Sequence, residues 1–212
     1  MPGSIARLDR VSDNAPIITV KMSAIKLGKY LTLTEFCQCS NTYKKYSESI
    51  DPLPKNTETI KAIKELNQFI IDPIIDNFGK DIFKLTYGFC SPDLKRFLNK
   101  KDPITGIKNG RIDPSRDQHM GHEINKNGNY YCKRLGSACD FIIENLDSKI
   151  LVDWILEQEL PFDSLYFYGS NRPIHISYGP ENKRDIWTFT GAGTPTKKGI
   201  EAWVKLAKKI KN

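Results

Sequence analysis

The pattern of hydrophobic and polar residues divides the chain into a helical first half and a second half rich in strands. The clearest helical pattern runs from a cap at Asn56 or Thr57 to Phe78-Gly79. Its apolar positions, spaced as on one face of a helix, are Ile60, Ile63, Leu66, Ile70 and Ile74. Pro73 lies inside this pattern, so we expect a kink or a break there, because proline lacks the N–H that a helix interior needs.

Four shorter segments also carry helix signals. The predicted short helices cover residues 31–40, 91–98, 148–160 and 196–211. Thr32 followed by Glu35 is a capping-box pattern, and Ser91 followed by Pro92 is typical of a helix start. Residues 41–56 are polar and contain two prolines, so we expect a loop between the first short helix and the long one.

The second half of the chain is dominated by runs of β-branched and aromatic residues. The predicted strands cover residues 82–87, 136–143, 165–168, 174–178 and 186–190. Residues 100–118 are punctuated by glycine and proline and predict a long loop. Helices followed by strands of antiparallel pattern predict an α+β fold.

The composition fits a folded globular domain. The 212 residues are 39% hydrophobic and 27% charged, which excludes a disordered or low-complexity chain. Residues 1–25 are predicted to be an N-terminal appendage and residues 26–212 a single domain. No apolar run reaches the roughly 20 residues of a membrane helix. The first residues show no signal-peptide pattern, so we expect a cytoplasmic protein with reduced cysteines.

The charge balance is basic and favours anionic partners. Lysine and arginine number 32 against 25 for aspartate and glutamate, which gives a net charge of +7. The lysines near the end of the chain are Lys197, Lys198, Lys205, Lys208, Lys209 and Lys211. This basic surface either binds an anionic polymer or is the solvated face of an amphipathic helix. No glycine-rich phosphate loop and no nucleic-acid-binding module is present to choose between them.

Three residues from separate segments are candidates for a metal site. A catalytic zinc ion usually has three protein ligands and one open position. His119, Asp140 and His175 offer two imidazoles and one carboxylate, and the last two lie on predicted strands that can converge across a sheet. By residue type alone, scattered histidines at the surface or in the core are the other interpretation.

Longer stretches around these residues carry a family resemblance. Leu85-Thr86-Tyr87-Gly88-Phe89-Cys90-Ser91-Pro92 is similar to a Thr-Ser-Gly-Tyr-Arg-Ser-Pro segment. Asp117-Gln118-His119-Met120, together with Gly136-Ser137-Ala138-Cys139-Asp140, is similar to a Ser-x-His-x-x-Gly-x-Ala-x-Asp motif. Residues 30–36, 72–79, 162–165 and 174–177 extend the similarity. Over residues 30–180 the chain thus resembles the M15-type metallopeptidases, the group of D-alanyl-D-alanine carboxypeptidases and phage endolysins.

The resemblance implies a fold, a metal and an activity. The fold is that of hedgehog signalling domains and DD-peptidases, an antiparallel sheet flanked by helices, and the metal is Zn²⁺ held by His119, Asp140 and His175. Such an ion lowers the pKa of a bound water to ~7 and polarises an amide carbonyl. The implied substrate is a peptide or peptidoglycan-like stem peptide. The lack of a signal-peptide pattern fits a phage-encoded lysis enzyme of this family. Residues 121–134 are an insertion relative to the family motif; an alignment without a gap would place Lys133 in the first ligand position.

The chain departs from the family at two catalytic positions. The family has a general-base Glu shortly before its last His, where this chain reads Tyr166-Phe167-Tyr168-Gly169. Glu123, inside the insertion, is our candidate for that catalytic role, ahead of Glu159 and Asp163. The family's substrate-binding Arg corresponds to Cys90, and the candidates to replace it are Arg96, Arg116 and Arg134.

These departures leave a second functional hypothesis. The fold could serve as a zinc-containing binding module for a nucleotide, a nucleic acid or a protein, with catalysis lost. His122 either joins the site or lies in an exposed turn, and Cys132 could close the site as a fourth ligand and make it structural. The aromatic residues that either line a cleft or fill the core are Tyr166, Phe167, Tyr168, Tyr178, Trp187 and Phe189.

Overall fold

The computed structural model describes residues 25–110 and 112–210, and it combines a six-stranded sheet with seven α-helices in that part of the chain. The predicted appendage lies, apart from Ile25, outside the described residues. The α-helices are α1 (Leu33–Gln38), α2 (Asn41–Tyr46), α3 (Thr57–Leu66), α4 (Asp72–Phe78), α5 (Pro92–Asn99), α6 (Ser148–Glu157) and α7 (Ile200–Ile210). Among these helices, none has the length and apolar character needed to cross a bilayer.

Helix starts follow the capping signals in the sequence. Thr32 and Glu35 form the predicted capping box at α1, and the Ser91 side chain accepts the N–H of Leu94 at α5. The prediction of a loop over 41–56 was wrong in its first part, because α2 and a 3₁₀ turn (Ser47–Ser49) occupy it. α2 buries no residue, so no apolar period announces it, and only the Ser40 cap marks its start.

The long helical pattern breaks before Pro73. A π-helical turn, Asn67–Ile71, separates α3 from α4, and Pro73 falls in the first turn of α4. The N–H of Asp72 donates to the carbonyl of Asn67, five residues earlier. This wider turn thus lies directly before Pro73, which has no N–H to donate to the helix. The α-helical hydrogen-bond pattern is therefore interrupted one turn upstream of the proline, and the helical segment continues through Pro73.

The sheet is mixed, which corrects the expectation of an antiparallel sheet. Its strands are β1 (Phe83–Tyr87), β2 (Ser137–Ile143), β3 (Ser164–Phe167), β4 (Ile174–Tyr178), β5 (Asp185–Phe189) and β6 (Pro195–Lys198), in the order β1-β2-β4-β3-β5-β6. β3 and β5 are parallel and every other pair is antiparallel. β2 and β3 occupy both edges of β4, so β5 cannot pair with β4. The chain instead crosses over β3 after β4, and β5 pairs with the free edge of β3 in the parallel direction.

The end of the described chain also differs from its prediction. Residues 196–198, assigned by the sequence pattern to the start of the last helix, belong instead to β6 at the edge of the sheet, and α7 begins only at Ile200. Lys197 on β6 pairs with Asp185 on β5 at 2.7 Å. β6 is mostly exposed, so its sequence lacks the alternation that reveals a half-buried strand.

The two faces of the sheet have different roles. One face carries the main core, packed against α3, the π turn, α4 and α6. Its central strand residues are Cys139, Phe141, Ile143, Leu165, Ile174, Ile176 and Ile186. Because successive strand residues alternate between faces, the neighbours of these apolar residues, including Asp140 and His175, lie on the opposite face. A smaller core of Ile50, Cys90, Leu94, Leu98 and Met120 supports the loops on that face.

Candidate metal centre

Five strands contribute one residue each to a single row across the sheet. Asp140 on β2 is the register partner of Tyr87 on β1 and of His175 on β4. His175 pairs with Tyr166 on β3, and Tyr166 pairs with Trp187 on β5. Residues directly opposite each other on neighbouring strands have side chains on the same face. The row therefore sets a carboxylate, an imidazole and three aromatic rings side by side.

A β-bulge in β1 brings Tyr87 into this row. Leu85 pairs with Phe141 on the core face, and two residues later Tyr87 pairs with Asp140 on the opposite face. Thr86 takes the extra position, and its Oγ1 donates to the carbonyl of Asp140. The bulge thus turns Tyr87 towards the candidate site, as bulges often re-aim side chains beside functional sites.

His119 reaches the row from the loop before β2. Its carbonyl accepts the N–H of Cys90, and its own N–H donates to the carboxylate of Asp117. The two neighbours of His119, Gln118 and Met120, are both completely buried. This segment is thereby fixed on both sides of the imidazole, although it belongs to no helix or strand.

The ligand atoms of His119, Asp140 and His175 converge. The Oδ1 atom of Asp140 lies 3.4 Å from Nε2 of His119 and 2.8 Å from Nδ1 of His175. The three ligand atoms all lie within 4.8 Å of one another, and no further His, Cys, Asp or Glu of residues 25–110 and 112–210 joins them. Zinc bonds of ~2.0–2.1 Å at tetrahedral angles separate ligand atoms by ~3.3–3.4 Å. The separation of His119 Nε2 and Asp140 Oδ1 matches this value, and the group as a whole could hold a metal ion with three protein ligands.

The hydrogen bond at the far side of the His119 ring determines which nitrogen faces Asp140. Nδ1 of His119 lies 2.7 Å from the carbonyl oxygen of Gly88, which can only accept, so Nδ1 carries a proton. A neutral His119 then directs the lone pair of Nε2 at a carboxylate oxygen. Two lone pairs at this distance repel unless a proton or a cation lies between them. The backbone carbonyl therefore orients His119 as a metal ligand.

His175 has an unpaired nitrogen in a buried position. Its side chain is 3% exposed, and Nδ1 contacts Asp140. Nε2 is buried and has no hydrogen-bond partner among the residues that the structure describes. The Tyr166 ring stacks on the imidazole with centroids 4.4 Å apart, which fixes the plane of the ring. In a neutral His175 that donates from Nδ1 to Asp140, the lone pair of Nε2 is thus left without a partner among the described residues.

Without a metal, the same groups form a charged cluster. Burial disfavours the protonated form of His119, but the carboxylates of Asp140 and Asp117 and the carbonyl of Gly88 outweigh burial and raise the pKa of His119 to about 9. Burial likewise opposes ionisation of Asp140, yet the two imidazoles hold its pKa well below the usual range. The site therefore attracts positive charge, whether a proton or a metal cation.

An aromatic cleft of about 460 Å³ lies beside the metal ligands. Its walls include Tyr166, Tyr168, Trp187 and Phe189, which are in ring contact with one another, and the two arginines Arg116 and Arg134. Of the six aromatic residues that the sequence left open, these four line the cleft. The other two lie elsewhere, since Phe167 packs on Trp203 and Tyr178 on Phe69.

Two of the charged residues that line this cleft, Arg134 and Asp117, bear on the candidate site. Arg134 donates to Ser164 Oγ and forms no ion pair with any carboxylate in the described ranges. Asp117 lines the cleft and accepts the N–H of His119. Sequence reasoning named Arg134 but missed Asp117, whose only signal was its place two residues before a candidate ligand.

Glu123 is held by hydrogen bonds at the start of α3. Its carboxyl is buried, and Oε1 accepts hydrogen bonds from the N–H groups of Lys55 and Asn56 and from Thr59 Oγ1, each at 3.0 Å. These donors belong to the start of α3, so the contacts give Glu123 a capping role. It is not part of the metal-ligand group, and its catalytic assignment stays a prediction.

The other candidates also lie outside the ligand group. His122 accepts the N–H of Gly136 through Nε2, and Cys90 is buried in the smaller core. Cys132 is a free, buried thiol, and Asp163 accepts from Gln118 and Lys183. The predicted insertion, 121–134, forms a loop closed by a bridge between Ile124 and Tyr130.

Comparison of the chain with protein-family models, with curated proteins and with solved structures gives no match. The resemblance to M15-type metallopeptidases therefore stays a prediction, and the functional argument depends on the geometry of the site.

Proposed function

We propose that this protein is a zinc-dependent hydrolase that cleaves an amide bond in a peptide or peptidoglycan-like substrate. The observation that supports it most is the convergence of His119, Asp140 and His175 beside an open cleft. Three protein ligands leave one coordination position free, which is the arrangement of catalytic rather than structural zinc sites. The resemblance to M15-type peptidases over residues 30–180, which implies the same three ligands, suggests the same chemistry.

The set of donor atoms favours zinc. Two imidazole nitrogens and one carboxylate oxygen suit this ion, whereas calcium and magnesium prefer sites made of oxygen alone. The five cysteines of the described residues are free thiols, and none contributes sulfur to the group. The side chain of Asp140 is 26% exposed while both imidazoles are nearly buried, so the open side of the site lies at the carboxylate.

Each residue around the site has a separate task. A zinc ion bound there supplies a Lewis acid that polarises an amide carbonyl and makes water nucleophilic near neutral pH. The Gly88 carbonyl and the Tyr166 ring keep the two imidazoles in position. The aromatic walls of the cleft exclude water from a bound chain, and Arg134, which has no carboxylate partner among the described residues, offers an anchor for an anionic group of the substrate.

Metal analysis and wall digestion together test this proposal. We expect about one zinc per wild-type chain, and loss of zinc in His119→Ala, Asp140→Asn and His175→Ala. His122→Ala is the matched control, because His122 lies outside the ligand group. Purified muropeptides, followed by mass spectrometry, should be cleaved by the wild type and by His122→Ala but not by His175→Ala. The proposal would be contradicted if His175→Ala retained zinc, or if this variant still cleaved muropeptides after losing zinc.

One observation favours a second candidate, a zinc-containing binding module without turnover. Asp140 is the only carboxylate in the ligand group of the described residues, and Glu123 is engaged at the start of α3. A general base must reach the reacting water directly or through one intervening water. Stoichiometric zinc without cleavage of any muropeptide would favour the module over the enzyme.

A further inference from the structure

A hairpin on the long loop presents two isoleucines to solvent. Lys101 and Lys108 form an antiparallel bridge, and the turn between them carries Ile104 and Ile107. These side chains are 92% and 70% exposed, more than any other large hydrophobic side chain in the described part of the chain. A pair of apolar side chains held this far out of a protein suggests a partner that receives them.

Hydrogen bonds within the hairpin hold its shape and keep the isoleucines from folding back. Asp102 accepts the N–H groups of Ile104 and Thr105 through Oδ1, at 3.0 and 2.7 Å, and the Thr105 hydroxyl as well. The backbone N–H of Asp102 donates to the carbonyl of Ile107, and that of Gly106 donates to the carbonyl of Asp102. The turn is therefore closed by backbone groups and by the Asp102 and Thr105 side chains, and the side chains of Ile104 and Ile107 take no part in closing it.

The base of the hairpin is attached to the body of the protein. Asn109 N–H donates to the carbonyl of Lys100, and Gly110 N–H donates to the carbonyl of Leu98. Leu98 belongs to the smaller core, and a Cβ on Gly110 would lie 2.5 Å from its Cδ2. This close approach fixes the direction in which the tip projects.

Exposed lysines lie at the base of the hairpin. Lys100, Lys101 and Lys108 are exposed, and none of them forms an ion pair with a carboxylate of the described residues. Lys108 Nζ donates to the side-chain oxygen of Asn99. The carboxylate of Asp102 is turned inwards to the turn. The hairpin thus combines an apolar end with unpaired positive charge at its base.

We propose that this hairpin binds the surface of an anionic phospholipid bilayer, with Ile104 and Ile107 inserted at the level of the upper acyl chains. Lysines at the base then lie at the depth of the phosphate groups, where charge and apolar contact act together. A polyanion would use the lysines but leave the isoleucines in water. A protein partner normally offers a concave apolar pocket, whereas the tip needs only a fluid apolar layer. The binding is independent of the metal centre.

Co-sedimentation of the full-length protein with vesicles tests this. The probes are vesicles of phosphatidylglycerol mixed with phosphatidylcholine, and vesicles of phosphatidylcholine alone. We expect binding to the anionic vesicles, a decrease of about tenfold or more for Ile104→Ser/Ile107→Ser, and a decrease of about fivefold for each lysine changed to glutamine at 100, 101 and 108. The matched control is Ile150→Ser, since Ile150 is 53% exposed on α6.

Three results would overturn the proposal. The first is failure of the wild type to bind the anionic vesicles. The second is equal binding by the wild type and the double serine variant while the lysine variants lose binding, which indicates capture of polyanions by charge alone. The third is an equal decrease for Ile150→Ser, which indicates a nonspecific apolar effect. Thermal unfolding of each variant establishes that the exposed substitutions leave the fold intact.

Discussion

The charged cluster of the metal-free site predicts an unusual dependence of stability on pH, which the substitution Asp140→Asn should remove. In the folded, metal-free protein, Asp140 and Asp117 raise the pKa of His119 from an ordinary 6.5 to about 9 despite its burial. In the unfolded chain the imidazole returns to the ordinary value. His119 therefore stabilises the folded state below pH ~6.5, and this stabilisation is lost as the pH rises through about 9.

The size of the effect follows from the two pKa values. Each pKa unit corresponds to ~1.4 kcal/mol, so a rise from 6.5 to about 9 amounts to about 3 kcal/mol of unfolding free energy. Asparagine keeps the shape of Asp140 and removes its charge. Because Asp140 is the largest of the groups that raise this pKa, we expect Asp140→Asn to be less stable than the wild type at pH 6 by as much as about 3 kcal/mol, and this difference to become small by pH 9.

Urea unfolding in the presence of a chelator, at pH 6 and pH 9, measures this difference. The comparison of two proteins cancels most of the contribution of the buried thiols, whose pKa values burial raises in both. Asp81→Asn is the matched control, because it makes the same chemical change at an exposed carboxyl. Its difference in unfolding free energy from the wild type should be the same at pH 6 and pH 9. A gap between wild type and Asp140→Asn that is equal at both pH values would refute the electrostatic reasoning.

Three further outcomes follow from particular contacts. Glu123→Ala should lower the unfolding free energy by about 1–3 kcal/mol while zinc content stays at the wild-type level, because Glu123 Oε1 accepts three hydrogen bonds at the start of α3; urea unfolding and metal analysis check both halves. Gly88→Ala should weaken zinc binding in a chelator competition, since a Cβ there would lie 2.2 Å from the carbonyl oxygen of Phe36 and displace the carbonyl that orients His119; unchanged affinity would argue against that role. Zinc binding near pH ~7.5 should release about one proton from His119, measured by calorimetry in buffers of different ionisation enthalpy, and the absence of release would show that His119 is not a ligand.

Sequence alternation predicted much of the sheet because its strands are half-buried. The alternation of a strand over 136–143 places Asp140 and Cys139 on opposite faces, and Cys139 is in the core while Asp140 faces the site. Asp140 and His175 were expected on strands that converge, and they proved to be direct register partners. The pairing itself could not be predicted, because register and strand order depend on contacts between segments far apart in the chain.

Other features left no signal in the residues. β6 and α2 bury almost nothing, so no apolar period marks them. The parallel pairing of β3 and β5 follows from which strand edges are already occupied, a property of the whole sheet. The position of His119 depends on the loop contacts of Gly88 and Cys90, and the capping role of Glu123 on three donors more than sixty residues earlier.

X-ray absorption spectroscopy at the zinc edge, on protein purified with zinc, tests the central claim most directly. If His119, Asp140 and His175 hold the ion, the spectrum should show two imidazoles and only nitrogen or oxygen neighbours at ~2.0–2.1 Å. A sulfur neighbour at ~2.3 Å, or protein that retains no metal at all, would contradict the site.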